Sequence, residues 1–169
     1  MVSLITLGTL LEPQHLEPAV RSPLRISATD LPKLARLFLH AHPNGTGHPG
    51  AEKAADRIRA VLEGTHGTLI PQASLFTADA DGRIIAAIIT TDRAFGERGT
   101  RTAFIAELFT HPEHRRNGLA EDLLTHAMQA LHDSGHRTLA VTVNTNNAAA
   151  IAFYLSQDFR RFTHPAADD

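Results

Sequence analysis

The stretch Phe109-Thr110-His111-Pro112-Glu113-His114-Arg115-Arg116-Asn117-Gly118-Leu119-Ala120 decides how this chain is read, because an apolar strand ends within it and an amphipathic helix begins at its far end. Arg115, Gly118 and Ala120 fit the pattern R-x-x-G-x-A, and behind them Leu119, Leu123, Ala127, Ala130 and Leu131 recur at helical spacing. The first turn of a helix leaves amide N–H groups without intrahelical partners, and the aligned peptide dipoles add partial positive charge. An anion such as a pyrophosphate placed there is held by geometry already present. Gly118 lets the backbone approach such a ligand closely. Alone, three fixed positions are a weak signal, since a Gly-containing turn before a helix is more often only a connection.

The downstream sequence changes that balance. Gly135 offers a C-cap to the helix, Thr138 to Asn144 reads as a strand, and Asn147-Ala148-Ala149-Ala150-Ile151-Ala152-Phe153-Tyr154 opens a second helix, with Phe159 shortly after. This order resembles the GNAT superfamily of acyl-CoA-dependent N-acetyltransferases, in which R-x-x-G-x-G/A is followed by a helix, a strand ending near Asn, and then N-x-x-A-(apolar)-x-(apolar)-Tyr-x-x-x-G-F. The match runs through Arg115, Gly118, Ala120, Asn147, Ala150, Ile151, Tyr154 and Phe159. Two separated motifs at the right distance are much more specific than either alone. One position departs: Asp158 stands where the family has Gly. Asp tolerates a left-handed backbone better than most residues, so the turn is expected to survive.

Composition bounds the function class without naming a substrate. At 169 residues the chain is most simply one domain with a real core. Sixteen basic and 18 acidic residues give a net charge of −2, so bulk electrostatics point to no nucleic-acid partner. The apolar run from Val2 to Leu11 is too short to span a bilayer and has no Lys or Arg before it, which argues against a membrane role and against a signal peptide. The absence of Cys excludes disulfides and a cysteine nucleophile and agrees with a cytoplasmic location.

The pattern along the chain alternates α and β. Leu24 to Ser27 is a strand candidate; Asp30 is expected to cap a helix with Leu31, Leu34, Phe38 and Ala41 on its inner face. Residues 42 to 50 read as a loop, and a second helix follows with Ala51, Ala54, Ala55, Ile58, Val61 and Leu62 inward. Ser74 to Ala78 and Ile84 to Thr90 flank an Asp81-Gly82 turn signal, and Thr102 to Thr110 leads into the basic turn. The resemblance implies an α/β, mixed α+β fold: a central, mostly antiparallel sheet, splayed between its fourth and fifth strands and flanked by about four helices. Residues 21–169 would form this domain. Residues 1–20 are an N-terminal extension, and the chain is short after Phe159, where the family continues to a further strand. Val2 to Leu11 is apolar and rich in β-branched residues and Leu, so it is expected to add a strand near Phe159 to Thr163, within the subunit or across a homodimer.

By resemblance, Leu108, Phe109 and Thr110 would pair with pantetheine through exposed main-chain groups. The backbone of Arg115, Arg116, Asn117, Gly118, Leu119 and Ala120 would hold the pyrophosphate of acetyl-CoA, and Asn147 would add a polar contact. Tyr154 matches the family Tyr that lies near the sulfur as general acid, and Glu107 stands where several members carry a base. Each has a plainer reading. Glu107 is on a strand whose alternation puts Phe104, Ala106 and Leu108 on one face and Ile105, Glu107 and Phe109 on the other, so it is either a base or a surface carboxylate. Tyr154, the only Tyr, is either an acid or a packed helix aromatic, and Arg115 and Arg116 otherwise form a solvated pair. His40, His42 and His48 cluster, but residues two apart do not share a helix face, so no metal site is expected. The expected activity is acetyl transfer to an amine of a small molecule or peptide by direct attack in a ternary complex. The alternative from another class is a non-catalytic acyl-CoA-binding sensor or scaffold.

Overall fold

The computed structural model describes residues 3–16, 22–41, 50–96 and 98–162. In chain order the elements are β1 (Leu4–Leu10), β2 (Leu24–Arg25), α1 (Leu31–Ala41), α2 (Ala51–Leu62), β3 (Thr68–Leu69), β4 (Leu75–Ala78), β5 (Ile84–Phe95), β6 (Thr100–Thr110), α3 (Leu119–Asp133), β7 (Thr138–Asn144), α4 (Ala148–Ser156) and β8 (Arg160–Arg161). The strands form one sheet in the order β2-β4-β5-β6-β7-β1-β8, with β3 paired to β5. Among the described residues only the β6–β7 pairing is parallel. This is the mixed, mostly antiparallel sheet with four helices that the sequence predicts. None of the described helices is long and apolar enough to cross a membrane.

Two apolar clusters sandwich the sheet. On one face Leu123, Leu124, Ala127 and Leu131 of α3 meet Ala86 and Ile88 of β5, Leu139 of β7, Leu7 of β1, and Phe159. On the other, Leu34 and Leu37 of α1 and Ile58 and Val61 of α2 meet Phe76, Ile89 and Phe109. The capping of α1 differs from expectation. Asp30 is not the cap but the third residue of a capping box, its carboxylate accepting from the Ser27 N–H at 2.8 Å, so the helical stretch starts three residues earlier in a 3₁₀ turn. The β4–β5 connection is longer than a two-residue turn: Asp79 N–H bonds to Arg83 O at 2.8 Å, and the Asp79 carboxylate takes the N–H groups of Asp81 and Arg83.

The alternation assigned to β6 also needs correction. Ile89 pairs with Glu107 and Thr90 with Ile105, leaving Ala106 as a bulge. A bulge shifts the side-chain phase by one residue. Leu108 therefore joins Ile105 on the α3 face, while Ala106 and Phe109 belong to the α1/α2 face.

β1 lies between β7 and β8. It pairs with β7 from Leu4↔Asn144 to Leu10↔Thr138, and Leu7 and Gly8 pair with Arg161 and Arg160. The pairing is made within one chain. Beyond β1 the chain runs along α3, where Gln14 N–H donates to Gln129 Oε1 at 2.6 Å. Thr163 and the residues after it lie outside the described residues, as do Met1, Val2 and residues 17–21.

Candidate active site

The turn before α3 is built to present main-chain N–H groups. Pro112 to His114 form a 3₁₀ turn, fixed by the Glu113 N–H donating to His111 Nδ1 at 3.1 Å. Arg116 (φ 70°) and Gly118 (φ 75°) are then both left-handed. Alternating handedness of this kind turns successive N–H groups to one side and makes a concave anion nest. Gly118 occupies the N-cap position with no side-chain cap, and no described group pairs with the N–H groups of residues 116 to 121. Arg115 does something the sequence did not indicate: its Nη2 donates to Ala41 O at 2.8 Å, satisfying the C-terminal end of α1 and tying that helix to the turn.

The sheet opens beside this turn. β6 and β7 share only the pairs Ala103↔Leu139 and Phe104↔Ala140, after which the rest of β6 has no partner on that side among the described residues. β7 is meanwhile paired along its full length by β1. The Ala106 bulge falls where the two strands part, which is where bending of β6 separates them. The opening leads to a cavity of ≈ 340 Å³ lined by Ala41, Leu108, Phe109, Thr110, Arg115, Ala120, Ala149, Ala150, Phe153 and Tyr154. Thus Leu108, Phe109, Thr110, Arg115, Ala120 and Tyr154, nominated from sequence, share one cavity.

Asn147 does not line it. Its side-chain oxygen caps α4, accepting from Ala150 N–H at 3.1 Å, and thereby sets the direction of the helix that delivers Tyr154. Tyr154 is 5 % exposed and packs against Phe153 and Phe159, with ring centroids 5.1 and 5.3 Å away. Burial first, and the negative charge of Glu107 second, push its hydroxyl well above the usual tyrosine value. The group is a permanent donor at ordinary pH.

Glu107 points to the opposite face, toward α2. Its Oε2 accepts from Arg57 Nε at 2.7 Å and lies 2.6 Å from Arg57 Nη2. The side chain is 14 % exposed, so this carboxylate is a largely enclosed group rather than a surface one. Arg57 also donates through Nη1 to His66 Nε2 at 3.1 Å. Partial burial, then the charges of Arg57 and Arg93, hold His66 below its ordinary pKa, which keeps it the neutral acceptor this bond requires. Sequence reasoning missed Arg57 and His66. Arg57 sits beside the apolar stripe of α2, but nothing in the sequence separates it from Arg59, which pairs with Asp56 at 3.0 Å instead.

Of the three clustered histidines, His40 stacks edge-on with His111 at 5.4 Å; His42 and His48 lie outside the described residues. Among the described residues no group of three or more His, Cys, Asp and Glu side chains has the arrangement to hold a metal ion.

Three comparisons bear on this geometry. No curated protein matches the sequence significantly. Among solved structures, the chain is similar to a GCN5-related N-acetyltransferase from Sphaerobacter thermophilus, with TM-score 0.69 and 15% identity over 95% of this chain and 49% of that one, so it spans about half of that protein's length. It is also similar to the ribosomal-protein-S18-alanine N-acetyltransferase from Escherichia coli (TM-score 0.62, 24% identity, 85% of this chain and 80% of that one). Naa20 from Chaetomium thermophilum, solved in complex with a bisubstrate analogue, gives TM-score 0.58 and 22% identity over 80% of this chain and 69% of that one. At such identities these likenesses speak for the fold. The sequence profile described as Acetyltransferase (GNAT) family matches residues 32–159, from the start of α1 to Phe159. It takes in the nest, the splayed strands and the Tyr154 helix, and so the chain belongs to the GNAT acetyltransferase family.

Proposed function

We propose that this protein is an acetyl-CoA-dependent N-acetyltransferase that acts on an amine of a small molecule or peptide by direct transfer in a ternary complex. The observation that carries this reading is the splay of β6 from β7 over a cavity with a nest of unpaired N–H groups at one end and Tyr154 inside it. The residues fit the donor. Arg116 and Gly118 shape a nest for a pyrophosphate, Gly118 has nothing within 4 Å of where a Cβ would stand, and the edge of β6 at Leu108 to Thr110, beyond its last pair with β7 among the described residues, lines the cavity where an amide-bearing arm would lie.

When bound, acetyl-CoA supplies an activated thioester. Glu107 takes a proton from the acceptor ammonium, directly or through water, so that the nitrogen lone pair can form the new C–N bond. Tyr154 donates its hydroxyl hydrogen to the sulfur as the C–S bond breaks, so the leaving group departs as the thiol, and the second proton that the nitrogen sheds once the C–N bond has formed restores the Tyr154 phenol. With no Cys in the chain, an acyl-cysteine route is excluded. The parting of β6 from β7 supports a shared site open to both faces of the sheet, with Glu107 on the strand that parts and Tyr154 in the cavity.

The test is a panel of amine acceptors with acetyl-CoA, following free thiol, alongside calorimetry with CoA. Thiol release that depends on an amine is expected. Tight CoA binding with no turnover on any amine would instead favour the sensor or scaffold.

A further inference from the structure

The α1/α2 face of the sheet, which also carries Glu107, holds a cation with no carboxylate partner among the described residues. Strand register places Thr91 and Arg93 of β5, Phe104 and Glu107 of β6, Ala140 and Thr142 of β7, and Thr6 and Gly8 of β1 on this one face. α1 and α2 cover its β4–β6 part, while their apolar cluster takes no residue from β7 or β1. Arg93 crosses this open part. Its Cζ stands 3.8 Å from the centre of the Phe104 ring, and its Nη2 donates to Thr142 Oγ1 at 3.4 Å, a long bond. Thr142 Oγ1 is in turn 3.1 Å from Thr6 Oγ1.

No described carboxylate pairs with Arg93. Asp92, its neighbour, falls on the other side of the strand and is 3.3 Å from Arg101. Glu107 is taken by Arg57, and His66 is a neutral acceptor. Among the described residues the strip thus holds two guanidinium groups and one carboxylate. A guanidinium over an aromatic ring, with its remaining N–H groups turned to an open face, has the fork geometry that binds carboxylates in two-point fashion.

Its position matters as much as its charge. Thr91, two residues before Arg93 on the same face of β5, donates to His66 O at 3.3 Å, and His66 bonds in turn to Arg57, the residue that holds Glu107, so Arg93 and Glu107 border the same patch of this face.

Resting on the acetyltransferase reading above, we infer that the acceptor is an amine that also bears a carboxylate, an amino-acid-like molecule whose carboxylate is received by Arg93 and Thr142 while its ammonium faces Glu107. Dicationic amines are disfavoured by the same guanidinium, because the second ammonium would meet Arg93. The aromatic row of Phe104, Phe95 and Phe162, whose rings follow one another at 5.4 and 5.7 Å, provides the apolar flank for the rest of the acceptor.

The experiment compares matched pairs, each a free amino acid and the same amine with its carboxylate converted to a neutral amide, in the thiol-release assay with the full chain. The carboxylate member should have a kcat/KM at least tenfold higher. Arg93→Gln should collapse that ratio through KM of the carboxylate member, and Arg93→Lys should restore part of it. Turnover with no preference within pairs, a preference for amides or diamines, or an unchanged ratio in Arg93→Gln would each overturn the inference while leaving the acetyltransferase intact. Absence of thiol release with every amine, with CoA still bound, would remove both.

Discussion

Arg57 and Glu107, fifty residues apart, are joined by two guanidinium contacts that end on the same carboxylate oxygen, Oε2, at 2.7 and 2.6 Å. The proposed base in β6 is thus positioned by a helix on the acceptor side. Glu107→Gln keeps the shape but cannot accept a proton, so kcat should fall by about 10²-fold or more. Arg57→Met should cost less, about tenfold, since the base remains but loses its orientation. His66 supplies a second readout. Its folded pKa is depressed, so between that value and the ordinary one near 6.5 the unfolded chain binds more protons. The stability this gives is present above about pH 6.5 and is lost as pH falls through the folded value. In an NMR titration His66 should therefore protonate late, and in Arg57→Met its midpoint should rise. An ordinary midpoint in the wild type, or none of these kinetic losses, would contradict the arrangement.

Tyr154 is the only Tyr in a chain without Trp, so one phenol can be followed by ultraviolet absorbance. Its raised pKa means that the hydroxyl stays protonated in the native state when an unfolded chain would ionise it near 10. Native stability should therefore decline as pH rises above about 10, with phenolate absorbance appearing together with unfolding, and Tyr154→Phe should remove that part of the alkaline loss. The same variant should lower kcat with little change in CoA affinity, because the ring packing is kept and only the donor is lost. Phenolate that forms in the native protein near 10 would show the hydroxyl to be solvated.

The R-x-x-G-x-A turn and the Tyr154 helix were legible because each depends on local chemistry. A glycine before an apolar helical repeat and an apolar run opening at Asn147 are written in consecutive residues, although the resemblance assigns Asn147 to the cofactor and the structure uses its side chain as the cap of α4. Arg57, His66 and Arg93 were not, since their roles come from β-strand register and from the packing of α2, both set by contacts distant in sequence. The bulge at Ala106 is of the same kind. No residue type at 104 to 108 demands it, yet it decides which face Leu108 and Glu107 share with their neighbours. The short strand β3 and the continuation of β5 past Thr90 to Phe95 were also missed, because mixed residues such as Asp92 and Arg93 gave no alternation.

Gly118 offers a clean test of the nest. Because nothing lies within 4 Å of its Cβ position, Gly118→Glu costs the fold only left-handed strain, about 1–2 kcal/mol. The variant should fold, and its affinity for CoA should drop severely, since a carboxylate now sits beside the proposed phosphates. Calorimetry that finds CoA affinity unchanged in the folded variant would move the donor site elsewhere.

β1 should be integral to stability although it precedes the segment matched by the family profile. Leu7 is 2 % exposed within the α3-side cluster, and Leu7→Ala should cost about 2–5 kcal/mol. Gly8→Val attacks the other face: a Cβ there would stand 2.5 Å from the Phe162 ring, so the ring must move. Melting temperatures at the wild-type level in both variants would show β1 to be a dispensable addition to the sheet.

Asp158 stands at a left-handed position, φ 67°, where the family motif has Gly, and the turn is nevertheless made. Its N–H reaches Leu155 O at 3.1 Å and the Phe159 N–H reaches Tyr154 O at 3.0 Å, which seats the fully buried Phe159 against the Tyr154 ring. Asp158→Gly removes the Cβ from this conformation and should stabilise the protein by up to about 1 kcal/mol. The lost pairing with Arg160, 4.0 Å away and exposed on both sides, offsets almost none of that. Asp158→Val should do the reverse, destabilising by about 1–2 kcal/mol, because a β-branched residue tolerates the left-handed region poorly. Since the turn holds Phe159 on Tyr154, the valine variant should also lose kcat at a temperature where it is still folded. If it melts earlier but turns over at the wild-type rate, the turn supports the fold without positioning Tyr154.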